Sequence, residues 1–381
     1  MMLVTKQDKP FSDDKKQTQL CCQRVRVVSR MGRIQILFMV LIFIGCGIYL
    51  IAEFSGKLNW SSTALLNRSS LPNGTKLIAW ENKPDWPWIQ DISFKNCAVK
   101  SCAFTARKEE ADVVIIYMVN YHLQSPFHRP LGQIWAVFGL EPPHLVSTNV
   151  WSNPAWQSQI NWTMTYRLDS TIFFPYYQPS RPIQDLPNLK GILSKKSRLV
   201  AAVVSNCYLA PSKRLKYIQF LQRHLKQPID VYGNCGTLMA GQGYDWFKTI
   251  SVKYKFYLAF ENSLCKDYIT EKFFGRQNLN WIVIARGSGN YSQFYPKQSY
   301  IDTRDFKTTK DLADYIQYLD KNDTAYLEYL SNKLDFKARS DAPEPFCEIC
   351  KRLHEPLVPT HYANIWDWFS KNACSEPQDI I

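Results

Sequence analysis

Residues 254–274 read YKFYLAFENSLCKDYITEKFF and combine a predicted strand with a predicted helix start. The run 254–260 is apolar and aromatic, which is typical of a buried strand. Asp267 or Thr270 is suited to cap the amino end of a following helix. The free amides and positive dipole at such an end favour an anionic group such as a diphosphate. The stretch therefore predicts a strand, a turn and a helix, with an anion site at the turn.

Two adjacent charged residues, Glu271 and Lys272, begin this predicted helix. Neighbouring residues on a helix point about 100° apart. This divergence allows one side chain to face a sugar while the other meets a phosphate. The alternative is an ordinary solvated Glu–Lys pair on the helix surface.

Short apolar runs rich in Val and Ile recur along the chain, and they are typical of buried parallel strands. They lie at 112–118, 133–138, 199–205, 229–232 and 281–285. Helical patterns lie between some of them, at 213–225 and 308–319, and Thr308 with Asp311 resembles a capping box. Strands that alternate with helices predict α/β sheets, and the proline-containing segment 178–198 is expected to link two such units.

The composition supports a folded protein without a nucleic-acid partner. Of the 381 residues, 46% are hydrophobic and 14% aromatic, which is enough for a substantial core. The net charge of +13 is scattered rather than concentrated in one basic run after the apolar segment. This distribution argues against nucleic-acid binding.

Residues 34–52 form an apolar segment of nineteen residues interrupted only by Gln35, about the minimum length for a bilayer core. Eight Lys or Arg residues precede it against three Asp, which places the amino terminus in the cytosol. The alternative is a cleaved signal peptide, but the segment begins late for one. We expect a cytosolic tail at 1–33, a signal anchor at 34–52 and a stem at 53–75, with the remainder in the lumen.

Sequons and cysteines agree with a luminal location. Eight of the eleven cysteines follow the predicted anchor, and an oxidising lumen favours disulfides. Cys347 and Cys350 form a Cys-x-x-Cys, but no second such pair completes a zinc site, so structural disulfides are favoured. Six candidate N-glycosylation sites also follow the anchor: Asn59, Asn67, Asn73, Asn161, Asn290 and Asn322.

Four ordered stretches resemble the α-1,3/4-fucosyltransferase family. They are 256–274, the block NWTMTYRLDS at 161–170, residues 204–207 with Arg214, and VYGNCG at 231–236. The resemblance implies a GT-B-type α/β fold, in which two Rossmann-like domains face a cleft. It places an acceptor-side domain at 76–180, a GDP-fucose-binding domain at 181–345, and a tail at 346–381 that packs back on the first domain.

The resemblance also implies the activity: inverting transfer of fucose from GDP-fucose to O3 of a GlcNAc in glycoprotein glycans, at the Golgi membrane. Lys272 and Arg214 are similar to the family's diphosphate ligands, and Glu271 to its fucose contact. The sequence contains no Asp-x-Asp, so protein cations rather than a metal are expected to neutralise the diphosphate. The other expected nucleotide or diphosphate contacts are Ser205, Asn206, Asn262 and Tyr268.

Alternatives exist for several of these roles. The alternative for Arg214 is an ordinary residue on the surface of a helix. The alternative for Tyr268 is a residue that only packs against the strand. The expected general base is Glu141, although Pro142 follows it where the family commonly has Ser. A loop carboxylate without a catalytic role is the alternative for Glu141, and His144 is a rival base.

The resemblance further implies that Cys97 and Cys102 pair with Cys347 and Cys350, and it leaves the pairing of Cys207, Cys235, Cys265 and Cys374 open. No permanent cofactor is expected. The acceptor also stays open between an antennal, Lewis-type GlcNAc and the innermost GlcNAc of an N-glycan core. A catalytically inactive glycan-binding membrane protein on the same scaffold is the alternative function.

Overall fold

The computed structural model describes residues 71–176, 188–208, 210–334, 344–357 and 360–380. The predicted cytosolic tail, the anchor at 34–52 and the sequons at Asn59 and Asn67 lie outside these residues, as does most of the predicted stem. Within the described ranges, no helix has both the length and the apolar character needed to cross a membrane.

The first sheet has six strands in the order β2-β1-β3-β4-β5-β6, and every neighbouring pair is parallel. Strand β2 lies on one side of β1, and strands β3 to β6 follow one another on its other side. Parallel sheets bind ligands at the carboxyl ends of the strands flanking such a reversal of strand order. The strands are β1 Lys76–Trp80, β2 Cys102–Phe104, β3 Val113–Tyr117, β4 Ile134–Gly139, β5 Trp162–Thr165 and β6 Ile172–Phe173.

The second sheet has five parallel strands in the order β12-β11-β9-β7-β8, with the same kind of reversal between β7 and β9. Its strands are β7 Arg198–Val203, β8 Ile229–Tyr232, β9 Tyr254–Phe260, β11 Ile282–Arg286 and β12 Ile301–Asp302. A separate antiparallel pair joins β10 Leu264–Cys265 to β13 Cys374–Ser375.

Helices connect the strands, as parallel pairing requires. Their bounds are α1 Pro87–Gln90, α2 Thr148–Trp151, α3 Leu189–Leu193, α4 Arg214–Gln222, α5 Gly243–Ser251, α6 Glu271–Gln277, α7 Thr309–Lys321, α8 Asp323–Leu334, α9 Pro345–His354 and α10 Ile365–Ser370. Short 3₁₀ turns lie at Lys108–Glu110, Pro143–Leu145, Pro154–Trp156, Tyr291–Gln293, Lys297–Ser299 and Thr303–Asp305.

The sequence periodicity located most of these elements to within a few residues. The predicted strands at 229–232 and 254–260 have the observed bounds. Thr308 and Asp311 form the predicted capping box at the start of α7. The prediction of a linker over 178–198 was wrong at its end, because Asn188 caps α3 and β7 already begins at Arg198.

Alternating residues of each strand fill a core on each face of its sheet. In β3, Val113 and Ile115 pack on one face, whereas Val114 and Ile116 pack on the other. The second sheet is likewise covered on both faces. Burial on both faces explains why these strands read as continuous apolar runs.

The described residues contain four disulfides. The disulfides Cys97–Cys347 and Cys102–Cys350 attach α9 to the first sheet. These four cysteines are the ones that the family resemblance implied as partners. Cys207–Cys235 joins the loops that follow β7 and β8. Cys265–Cys374 joins β10 to β13.

The chain after α9 does not stay with the first sheet. Residues of α9 and α10 enter the first sheet's cores. Asp379, however, binds Arg286 of β11, and Ile380 packs against the second sheet's core. The expectation that 346–381 packs on the first domain is therefore wrong for this end of the chain, because the β10–β13 pairing redirects it.

Candidate active site

Glu261 organises the turn between β9 and α6. It is fully buried and accepts hydrogen bonds from the backbone amide of Thr270, at 2.9 Å, and from its hydroxyl, at 2.8 Å. Thr270 is the N-cap of α6. Burial raises the pKa of Glu261, while Lys272 opposes the shift. The sequence assigned Glu261 no role, although an acid directly after an apolar strand was a usable signal.

Lys272 lies among carboxylates rather than apart from its neighbour. Its Nζ is 3.1 Å from Oε1 of Glu271, 3.0 Å from the Thr270 hydroxyl and 3.5 Å from Oε2 of Glu261. Burial opposes the charged form, but the two carboxylates outweigh it and raise the pKa of Lys272. The side chains of Glu271 and Lys272 therefore contact each other, and their separate roles toward a sugar and a phosphate stay a prediction.

Arg214 is buried at the start of α4, with 4% of its surface exposed, so the surface-residue alternative is wrong. It donates to the carbonyls of Phe260 and Asn206, each at 3.2 Å. Burial lowers the pKa of Arg214, and Glu261 opposes that shift. Its Nε has no hydrogen-bond partner within the described chain. A buried cation satisfied only by carbonyls favours an anionic ligand.

Ser205 and Asn206 lie in the loop after β7, and the loop after β8 approaches them closely. Gly233 has φ +92°, and a Cβ there would lie 2.8 Å from the Ser205 hydroxyl. The Cys207–Cys235 disulfide fixes the same two loops. Asn262 is buried and its Oδ1 lacks a partner among the described residues. These residues therefore gather with Arg214 at the reversal point of the second sheet.

Tyr268 is 1% exposed and packs its ring against Tyr166, at 4.9 Å between centroids. The alternative that Tyr268 is a packing residue accounts for its burial and its ring contact. Its direct contact with a nucleotide stays a prediction.

Glu141 follows β4 at the carboxyl edge of the first sheet and is half-buried. Tyr176 donates from its hydroxyl to the carbonyl of Leu140, which holds the loop. Burial raises the pKa of Glu141 above its ordinary value of 4.5, Lys272 opposes the shift and Glu271 adds to it. A carboxylate with a raised pKa in a cleft is suited to general-base work.

A cleft of about 650 Å³ is lined by residues that follow strands of both sheets. Glu141 lines it from the first sheet and Glu271 from the second. Trp86, Trp88 and Phe174 form an aromatic wall, in which the two tryptophan rings stack at 5.5 Å and 27°. Trp88 remains 48% exposed. Sequence reasoning missed this wall, although Trp86-Pro87-Trp88 shortly after β1 was visible.

Comparison with known proteins agrees with this geometry. A family model described as "Fucosyltransferase, N-terminal" matches residues 73–177, and one described as "Glycosyltransferase family 10 (fucosyltransferase) C-term" matches 193–368. The chain belongs to glycosyltransferase family 10, the fucosyltransferases. It is therefore an enzyme, a fucosyltransferase by family.

Curated relatives of this fucosyltransferase carry two linkage names. The Pan troglodytes protein "3-galactosyl-N-acetylglucosaminide 4-alpha-L-fucosyltransferase FUT3" is 36% identical over 75% of this chain and 78% of its own length. The Homo sapiens protein "4-galactosyl-N-acetylglucosaminide 3-alpha-L-fucosyltransferase FUT6" is 37% identical over 71% of this chain and 77% of its own length.

A solved structure shares the fold. The crystal structure of an "alpha1,3-Fucosyltransferase with GDP-fucose" superposes with a TM-score of 0.52 at 18% identity, covering 75% of this chain and 92% of that one. The expected architecture of two parallel-sheet units is confirmed at the level of fold.

His144 is the rival base of the fucosyltransferase. It is exposed, and its Nδ1 is 3.2 Å from the Ser263 hydroxyl. It does not belong to the residues that line the cleft with Glu141.

The described sequons differ in accessibility. Asn73 and Asn290 are exposed, whereas Asn161 and Asn322 are half-buried. Asn161 accepts from the Trp135 amide at 3.0 Å and donates to the Thr360 carbonyl at 2.8 Å. Occupancy of each sequon stays a prediction.

Two groups of possible metal ligands occur in the described part of the fucosyltransferase: Cys102, Cys350 and His354, and Cys97, Glu344 and Cys347. Both contain disulfide-bonded cysteines, whose sulfurs are not thiolates.

Proposed function

We propose that the enzyme transfers L-fucose from GDP-fucose to O3 of a GlcNAc residue in glycoprotein glycans, with inversion at the fucose anomeric carbon. The observation that supports this best is the cleft itself. It is lined by Glu141 from one sheet and by Glu271, the neighbour of Lys272, from the other. An acceptor and a donor held on opposite walls would meet between them.

Glu141 acts as the general base in this proposal. Its carboxylate takes the proton from the acceptor O3 as that oxygen bonds to the fucose anomeric carbon. The bond from that carbon to the diphosphate breaks at the same time, and its electron pair leaves with GDP. The raised pKa of Glu141 strengthens it as a base.

Arg214 and Lys272 neutralise the diphosphate in this proposal. Each is buried or half-buried, and placed at the carboxyl edge of the second sheet. Preorganised cations stabilise the charge that develops on a departing phosphate. Ser205, Asn206 and Asn262 supply further polar contacts, and Glu271 binds the fucose hydroxyls. Donor binding is proposed not to require a divalent metal, and turnover that persists in EDTA is the expected result.

The aromatic wall forms the acceptor side. Sugar rings have apolar faces that pack on aromatic side chains, and Trp88 offers an exposed face inside the cleft. We propose an α-1,3 linkage. The relatives named above carry both 3- and 4-fucosyltransferase names, so the linkage and the acceptor need direct measurement.

The location is proposed from the sequence and from the described disulfides. Residues 34–52 would anchor the enzyme in the Golgi membrane as a single-pass, type II protein with residues 53–381 in the lumen. Four disulfides in the described part suit an oxidising compartment. Protease protection of intact Golgi vesicles, with antibodies against each end, tests the orientation.

The deciding experiment is a turnover assay with GDP-fucose on a small acceptor panel. The panel contains type 1 and type 2 antennal oligosaccharides and a core N-glycan, and NMR of the products gives the linkage. Fucose at O3 of a GlcNAc is the expected product. Release of GDP without fucosylated product, or a product at another sugar, would contradict the proposal.

A further inference from the structure

The last described residues, 374–380, lie beyond the segment that matches the family model, 193–368. They nevertheless make specific contacts with the second sheet and with the segment that follows β9. The Cys265–Cys374 disulfide and the β10–β13 pairing fix their beginning. Ile380 packs against the core of the second sheet at their end. We call residues 374–380 the tail strap.

Asp379 of the tail strap forms a bidentate ion pair with Arg286 at the end of β11. The guanidinium donates from Nε to Oδ2 and from Nη2 to Oδ1, both at 2.7 Å. Arg286 is 1% exposed and lies over the ring of Tyr217, with 4.6 Å between the guanidinium carbon and the ring centroid. Within the described chain, Asp379 is the carboxylate that pairs with this buried cation.

Arg286 in turn holds the segment that leads into Arg214. Its Nη1 donates to the carbonyl of Ser212 at 2.8 Å. Ser212 is fully buried, and its hydroxyl donates to the Glu261 carbonyl at 2.7 Å. The Ser212 amide donates to the Asn262 carbonyl at 3.1 Å. Hydrogen bonds therefore run from Asp379 to the backbone two residues before Arg214.

The backbone of Arg286 also touches the site. Its carbonyl accepts a hydrogen bond from the Glu261 amide at 3.0 Å. Glu261 is the carboxylate that fixes Thr270 and Lys272. Arg286 therefore contacts both Ser212, which lies two residues before Arg214, and Glu261, which holds Lys272.

We propose that Asp379 is a positioning residue for the donor site, which fixes Arg286 and through it the loop that carries Arg214. The inference rests on the proposed function, because it assigns Arg214 to GDP. Loss of the Asp379 carboxylate leaves Arg286 buried without its counter-ion. Because an unpaired buried cation is energetically costly, the Arg286 side chain is expected to move toward another anionic group. A shift of Arg286 toward Glu261 would displace Ser212 and weaken GDP binding.

Asp379→Asn tests this in the full chain solubilised in detergent. Calorimetry with GDP is expected to show a dissociation constant about three- to tenfold weaker than that of the wild type. The KM for the acceptor is expected to stay unchanged, because the aromatic wall is in the other half. Asp379→Glu restores a carboxylate and is expected to bind GDP more tightly than Asp379→Asn.

The matched control is Glu376→Gln, on the same strap and with the same change in charge. Glu376 is 70% exposed and pairs with Lys213 at 3.2 Å on the surface. Its loss is expected to leave GDP affinity unchanged. Equal loss in both variants would indicate a general electrostatic effect and would overturn the inference.

A variant that loses thermal stability but keeps wild-type GDP affinity would show that Asp379 is only structural. If Asp379→Asn does not fold, Asp379→Asn with Arg286→Met removes the lone buried cation. This double variant lacks the donor to Ser212, so weak GDP binding is still expected, and wild-type affinity would overturn the inference. Failure of the wild type itself to bind GDP would overturn both this inference and the proposed function.

Discussion

The two parallel sheets reverse direction in the same way, yet their carboxyl edges carry opposite chemistry. The edge of the second sheet holds the cations Arg214 and Lys272 around the buried carboxylate of Glu261. The edge of the first sheet presents Glu141 beside the aromatic wall. Loops of both sheets thus line one cleft, and the proposed function assigns a different ligand to each side of it.

This division assigns separable tasks to the halves. Cations suit a diphosphate, whereas aromatic rings and a carboxylate suit a sugar whose hydroxyl must lose a proton. Changes in the first sheet's loops should therefore alter chemistry or acceptor use. Changes in the second sheet's loops should alter donor binding.

Glu141→Gln removes the base while keeping the size of the side chain, and the largest effect is expected here. The kcat should fall by about 10²–10⁴-fold, since that is the usual contribution of a positioned general base. Initial rates at saturating GDP-fucose measure it. The control Glu109→Gln changes an exposed carboxylate of the same half and should leave kcat unaltered. Undiminished turnover by Glu141→Gln would remove Glu141 from the mechanism.

Lys272→Ala should weaken GDP binding by about 10- to 100-fold, because a desolvated ion pair with a phosphate contributes on the order of 1.5–3 kcal/mol. Calorimetry measures the change. Lys266→Ala provides the control, since Lys266 is 54% exposed and pairs with Asp169. A similar loss in both variants would mean that net charge, rather than the position of Lys272, attracts the nucleotide.

Trp88→Ala should raise the acceptor KM by about tenfold, which corresponds to roughly 1.4 kcal/mol. The KM for GDP-fucose should not change, because the aromatic wall lies on the other half. Tyr318→Ala removes an aromatic residue of similar exposure on α7 and serves as the control. An acceptor KM that stays constant in Trp88→Ala would place the acceptor elsewhere.

A further prediction concerns pH. Because burial raises the pKa of Glu141 above 4.5, its base form is lost at a higher pH than that of an ordinary glutamate. The kcat/KM should therefore decline as pH falls through a pKa above 4.5, by about tenfold per unit below it. A profile of kcat/KM against pH checks this. A flat profile down to 4.5 would contradict the assignment of a buried carboxylate base.

The sequence predicted the strands and the charged turn well for physical reasons. Strands such as β3 are buried on both faces, so their burial appears as an uninterrupted apolar run. The residues 271 and 272 were found because they are charged and adjacent to a predicted helix start. Glu141 and Arg214 came from the family resemblance rather than from periodicity.

The sequence could not predict features that depend on side-chain paths or distant contacts. The direction of Lys272 follows from Glu261 and Thr270, which only the fold brings together. The aromatic wall requires α1 and the segment after β6 to meet, and these are more than eighty residues apart. The pairing of Asp379 with Arg286 spans a similar distance and leaves no local pattern.

The most direct test of the division between the halves is the GDP dissociation constant of Glu141→Gln beside that of Lys272→Ala, each with its turnover rate. The account predicts that Glu141→Gln binds GDP like the wild type but hardly turns over, whereas Lys272→Ala loses GDP affinity. Glu141→Gln with weakened GDP binding and intact turnover at saturating donor would contradict it.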